Sequence, residues 1–151
     1  MPTVQSSYGN MSAARVGQIA EWNDAQVLIS RTVETGALAP GAGALQGAAD
    51  NGAKPIDNSG KAFRGIAVRT QSMDAAGSPV DSFAVGGEAR IMEKGVVWVT
   101  AGATVAAGDS VYYTTAGVWT NTSNSAANPQ VPNAIWDSSA TSGNLAKIRL
   151  R

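Results

Sequence analysis

Glycine cuts this chain into short pieces. Seventeen glycines are spread over 151 residues, and the segments between them are mostly brief runs rich in Val, Ile, Thr and aromatic residues. Such runs favour strands, because branched and aromatic side chains pack on a pleated surface while glycine and asparagine make the turns. Gly95–Thr100 (GVVWVT) is the clearest strand, with Val97 and Val99 on one face and Val96 and Trp98 on the other. Four successive apolar positions imply burial on both sides. Ser110–Thr114 and Val118–Asn121 flank Thr115-Ala116-Gly117, a hairpin turn with glycine placed for positive φ.

The same reasoning predicts strands over Ala25–Val33, Ala62–Thr70, both sides of a Gly86-Gly87 turn within Ser82–Ile91, and Ala134–Asp137. In the closing strand, Leu145–Arg151, Ala146, Ile148 and Leu150 face inward while Lys147, Arg149 and Arg151 share the other face. Residues 34–63 read as short strands joined by turns; residues 71–81 and 121–132 read as loops. Val16, Ile19, Ala20 and Trp22 could line a short helix from Arg15 to Trp22, weakened by Gly17. Residues 1–14 are small and polar without sustained periodicity, and read as an extended N-terminal arm. The expected fold is all-β: a single domain over residues 15–151, a small jelly-roll-like sandwich or barrel of short antiparallel strands, preceded by the arm.

Composition excludes much chemistry. There is no cysteine, hence no disulfide, no thiolate nucleophile and no zinc–cysteine site. There is no histidine, hence no Ser-His-Asp triad and no His-ligated metal. The 11 basic and 11 acidic residues balance, which leaves no excess of cations for a phosphate backbone, so no nucleic-acid partner is expected. No apolar run is long enough to span a membrane, and the first residues carry no basic region followed by an apolar stretch, so no secretory signal is expected. Charged residues are 15% of the chain, against about 25% in an ordinary domain. Low charge with small side chains fits a surface that ends up against other protein.

No motif rescues a catalytic reading. Gly41-Ala42-Gly43-Ala44-Leu45-Gln46-Gly47 resembles a dinucleotide fingerprint, but its third glycine is one residue late and no helix pattern follows. Glu88, Glu93, Asp109 and Asp137 are candidate acid/base groups, yet each falls at a strand end or turn where carboxylates are solvated or accept backbone hydrogen bonds. No alternating acidic cluster offers an oxygen-ligand cation site. No catalytic residue, cofactor or metal is therefore assigned. Phe63, Phe83, Trp98, Tyr112, Tyr113, Trp119 and Trp136 read as core rather than as a stacking platform, which would need a basic groove. Trp22 lies outside the β-rich half and is the best interface anchor. Lys147, Arg149 and Arg151 read most simply as a solvated strand edge, or alternatively as a salt-bridging face toward a neighbouring subunit.

Taken in order, GQIAEWNDAQVLISRTVETG (17–36), AFRGIAVRTQS (62–72), GGEARIMEKGVVWV (86–99), VAAGDSVYYTTAGVWTN (105–121) and AIWDSSATSGNLAKIRL (134–150) resemble the cement, or head-decoration, proteins of tailed bacteriophages. The resemblance implies a small β-barrel or jelly-roll-like domain on the outer surface of the virion capsid. There it would bridge neighbouring major capsid proteins and reinforce the shell against internal DNA pressure, after synthesis in the bacterial cytoplasm. The symmetric junctions of such a shell lead us to expect a homodimer or homotrimer. Tyr8 on the arm, Trp22, Lys147, Arg149 and Arg151 are the interface candidates. The competing reading is a carbohydrate- or receptor-binding β-sandwich, which would require Trp119 or Tyr113 to be exposed.

Overall fold

A computed structural model describes residues 14–22, 26–70, 73 and 81–151. Among the described residues there is no α-helix. Ten strands form: β1 (Ile19–Glu21), β2 (Val27–Val33), β3 (Gly43–Gln46), β4 (Gly52–Pro55), β5 (Phe63–Ala67), β6 (Glu88–Thr100), β7 (Ser110–Tyr113), β8 (Trp119–Thr120), β9 (Gln130–Trp136) and β10 (Leu145–Leu150).

Five of them close on themselves. The order β2-β4-β3-β5-β6 returns to its start because β6 also pairs with β2, giving a small barrel, the second of the two architectures expected. All of its pairings are antiparallel except β2–β4, which run parallel where Thr32 meets Gly52 and Val33 meets Ala53. The remaining strands make a second sheet in which β1 and β10 lie on either side of β6, followed by β9, β7 and β8.

The 13-residue strand β6 belongs to both sheets. Its first half pairs with β2 from Glu88 to Lys94, and its second half with β10 from Gly95 to Thr100. Gly95 marks the junction: its φ is 135° and a β-carbon there would stand 2.8 Å from the Met92 sulfur. Gly65, at φ 145°, lets β5 lie directly against the main chain of Met92, where any β-carbon would collide with the carbonyl oxygen. These are positions only glycine fills without strain.

Alternation along the barrel strands feeds two cores. Val33, Ala44, Ala53, Ala67, Ala89 and Ile91, at least one from each barrel strand, pack together with Leu38 and Phe83. The predominance of alanine fits the narrow interior that five strands enclose. Their sequence neighbours Leu45, Ile66 and Met92 point the other way, into a larger cluster with Val97, Val99, Val111, Trp136, Ala146, Ile148 and Leu150 of the second sheet. A stacked and edge-on trio joins the two halves: Phe63 lies 5.8 Å from Tyr113 and 6.2 Å from Trp119, centroid to centroid. Trp119 also donates its indole N–H to the Gly41 carbonyl at 2.8 Å, which satisfies the one polar atom its burial would otherwise strand.

Several expectations need correction. No helix forms over 15–22; a turn at Val16-Gly17 leads into β1. The Gly17 N–H donates to Trp98 and the Gly17 carbonyl accepts from Arg69, so sheet pairing on both sides outweighs the weak helical periodicity. Nor is 82–85 a strand: Phe83 makes only an isolated bridge to Leu38. The strand that follows Gly86-Gly87 does not stop at Ile91 but runs on through Gly95 to Thr100. Strand β9 begins at Gln130, four residues earlier than expected. Pro132 fits because β9 shifts register against β7 between the Gln130 and Ile135 pairings, and proline is tolerated where a ladder is irregular. Finally, β10 is no sheet edge, being paired with β6 on one side and β9 on the other.

Val97 is fully buried between both halves of the molecule. We expect Val97→Asp to cost more than about 3 kcal/mol by stranding a charge in the larger core, and to abolish a cooperative urea transition. A variant that melts like the wild type would show β6 to be peripheral.

Candidate functional site

Among the described residues, the outer face of the second sheet carries the densest cluster of ion pairs. On β6, Val96 and Trp98 face outward, as their register partners show: Glu21 of β1 and Arg149 of β10 both sit opposite Val96, and Lys147 sits opposite Trp98. The expected division of β6 into a Val97–Val99 face and a Val96–Trp98 face is what the fold adopts, and so is the inward facing of Ala146, Ile148 and Leu150.

Arg149 forms a bidentate pair with Asp137, Nε to Oδ1 and a terminal nitrogen to Oδ2, both at 3.0 Å. The same terminal nitrogen reaches Glu21 at 2.9 Å. Lys147 stands 3.7 Å from Glu21 and 3.9 Å from Asp137, with its ammonium 5.7 Å from the centre of the Trp98 ring. These groups are partly covered, and planar Arg–carboxylate forks are the strongest of the common ion pairs. Asp137 is accordingly held below the usual carboxylate range, first by its hydrogen bonds from Arg149 and then by the charges of Arg149, Lys147 and Arg151, with burial acting the other way. Arg149 is raised in turn by its bonds to Asp137 and Glu21.

So Lys147 and Arg149 are engaged within the chain rather than standing as a solvated edge. Arg151 is exposed, and its main-chain N–H donates to Asn133. Trp22, directly after Glu21, is 77% exposed, while every other tryptophan is buried or half-buried. Tyr8 and the rest of residues 1–13 lie outside the described residues. Sequence reasoning missed Glu21, which has no local signature: its partner Arg149 is 128 residues away. It also missed Glu34, whose carboxylate accepts the main-chain N–H groups of Ala48 at 2.6 Å and Ala49 at 3.1 Å and so pins the β3–β4 turn. Those two bonds lower its pKa.

The candidate acid/base carboxylates stand apart, most of them in structural hydrogen bonds or ion pairs. Glu93 pairs with Arg64 at 3.1 Å. Asp109 accepts from the Asn121 amide at 2.7 Å and from the Ala106 N–H at 3.0 Å, and both bonds lower its pKa. Glu88 is exposed. No group of three potential metal ligands occurs among the described residues. An apolar groove of about 270 Å³ between the two halves is lined by Val16, Pro40, Ala42, Val118 and Trp119 among others, with no titratable side chain on its walls. Trp119 and Tyr113, whose exposure a sugar-binding surface would need, are 3% and 6% exposed.

The Asp137–Arg149 pair sets an acid limit. Because the carboxylate's pKa is depressed in the fold, its contribution is fully present above the ordinary value of about 4 and is lost as pH falls through the lowered one. Asp137→Asn should cost about 2 kcal/mol at pH 7. In urea titrations the gap to the wild type should narrow steadily below pH about 4; a constant gap down to pH 2 would remove the pair from the acid limb.

The chain matches none of the curated proteins. Among solved structures, it superposes on a chain of "The capsid of Myoviridae Phage XM1" with a TM-score of 0.76 at 18% identity, covering 100% of this chain and 98% of that one. It also superposes on "The crystal structure of head fiber gp8.5 N base in bacteriophage phi29" with a TM-score of 0.50 at 14% identity, covering 83% and 94%. At those identities the likeness speaks for the fold. Residues 4–151 match the family model described as "Structural cement protein (E217 gp24/Pam3 gp6)", so the chain belongs to the phage structural cement protein family, whose role is that of a capsid cement or decoration component of the virion.

Proposed function

We propose that the protein binds the outer surface of a phage head at junctions between major capsid proteins and stabilises the shell as a non-enzymatic clamp. The observation that carries this is Trp22. A large apolar side chain left 77% exposed, in a fold that covers its other tryptophans, is a ready anchor for a partner surface. It directly follows Glu21, which is ion-paired with Lys147 and Arg149. Arg151 and Lys147 extend the polar rim of such a contact. The low overall charge fits the same use.

Residues 1–14 serve as a second attachment. They contain no charged side chain and too little apolar surface to fold alone, so on the shell they order against a neighbour by adding main-chain hydrogen bonds to an exposed strand, with Tyr8 as the side-chain contact. The protein acts as a homodimer or homotrimer, matching the symmetry of the junction it occupies. A carbohydrate-binding role is disfavoured by the burial of Trp119 and Tyr113.

Two variants test this on undecorated heads. Removing residues 1–14 should leave the melting temperature of the domain almost unchanged. Trp22→Ala should do the same, because the side chain makes little contact to lose. Each should reduce occupancy on heads by about tenfold or more, the loss usual for an anchor residue. Full occupancy by both variants would move the binding surface elsewhere on the barrel.

A further inference from the structure

The first and last strands of the described fold are held together by charge across the strand that separates them. β1 and β10 lie on opposite edges of β6 and in matching register: Ile19 and Ile148 face Val97, Glu21 and Arg149 face Val96. Val96 is fully buried although it belongs to neither hydrophobic core. Its two cross-strand neighbours are the carboxylate and guanidinium that meet at 2.9 Å.

The two strands are held very differently. β10 has six register pairs to β6, a second neighbour in β9, and three side chains in the larger core. β1 has three residues, two register pairs interrupted by an irregularity, and one side chain, Ile19, packed at the margin of that core. Its N-terminal approach is held by main-chain bonds, Gly17 N–H to Trp98, Trp98 N–H to Gln18 and Arg69 N–H to Gly17, and the Arg69 side chain donates to the Val16 carbonyl. At its C-terminal end the side-chain attachment is Glu21, on Arg149 and Lys147. The barrel's strand ladder closes without β1, since β6 keeps β2, β5 and β10 as partners, and Arg69, which bonds the segment from the barrel side, lies beyond the end of β5.

We infer that β1 is a strap closed by an ionic catch, Glu21 on Arg149 and Lys147, which opens as a unit without unfolding the barrel. Opening frees residues 15–22, including Trp22, and uncovers the edge of β6 at Val96–Trp98. Asp137 sets the strength of the catch, because it competes with Glu21 for the same two cations. Closed, the catch fixes the position from which Trp22 projects. If Trp22 is the capsid anchor, a consequence that rests on the reading above, attachment through this uncharged residue becomes dependent on salt.

Hydrogen exchange on the free full-length protein tests the catch without any capsid, so its failure and that of the capsid reading are distinguishable. In Glu21→Gln, exchange of segment 15–22 should quicken about fivefold, the worth of a partly exposed ion pair, while β3, β5 and β10 keep wild-type rates. Raising salt to 1 M, where the screening length is about 3 Å, should quicken the same segment in the wild type and leave Glu21→Gln nearly unchanged. Exchange that rises equally in all strands would make β1 part of the global unit and overturn the inference, as would rates in 15–22 insensitive to both substitution and salt. Should Glu21→Gln fail to fold, the wild-type salt series decides alone.

Discussion

The main chain of β6 is hydrogen-bonded to β2 and β5 along its first half and to β10 and β1 along its second. Two sheets thereby share one covalent strand, and neither can separate from the other without breaking its ladder. This arrangement explains the apolar run at Val96-Val97 and Val99, and it explains why glycine stands at 95. A strand that leaves a closed barrel and enters an open sheet must twist sharply, and a side chain at that point would strike Met92. The aromatic trio of Phe63, Tyr113 and Trp119 then fills the space that the change of direction opens between the halves.

Charge in this chain is scarce and is spent locally. Glu34 pins one turn, Asp109 another, and Asp57 is held at about 2 by its hydrogen bonds from Lys54 and Ser59 near the end of β4. The remaining dense cluster ties β1, β9 and β10 across the outside of β6. An ion-paired face of this kind stays polar enough to remain in water, yet it presents no strong net field to either sign of partner. Trp22, which follows Glu21 in the chain, is exposed beyond the end of β1.

Period-two patterning made the barrel and its companion sheet legible where one face of a strand is apolar. The facing of Val97 and Val99 against Val96 and Trp98 could be read from residues alone, as could that of Ala146, Ile148 and Leu150. The family was legible too, because its strand order and turn glycines recur along the chain. What escaped was decided by distant contacts. The Arg15–Trp22 stretch has a weak helical period, and only the main-chain partners offered by Trp98 and Arg69 make it a turn and a strand. Lys147 and Arg149 look like an exposed edge until β9, with Asp137 at its end, is placed beside them. Glu21 carries no local mark of its role. Trp22 stands out in the sequence only by lying apart from the β-rich half; its exposure is a property of the fold.

The most direct measurement is the position of the protein on its shell. Reconstituting undecorated heads with the full-length protein and imaging them by electron cryomicroscopy should show density on the outer surface, bridging adjacent capsid subunits. Trp22 should be turned toward the shell, with residues 1–14 continuing onto a neighbouring subunit. Density seated through the opposite side of the barrel, with Trp22 facing solvent and the first residues unattached, would contradict the account.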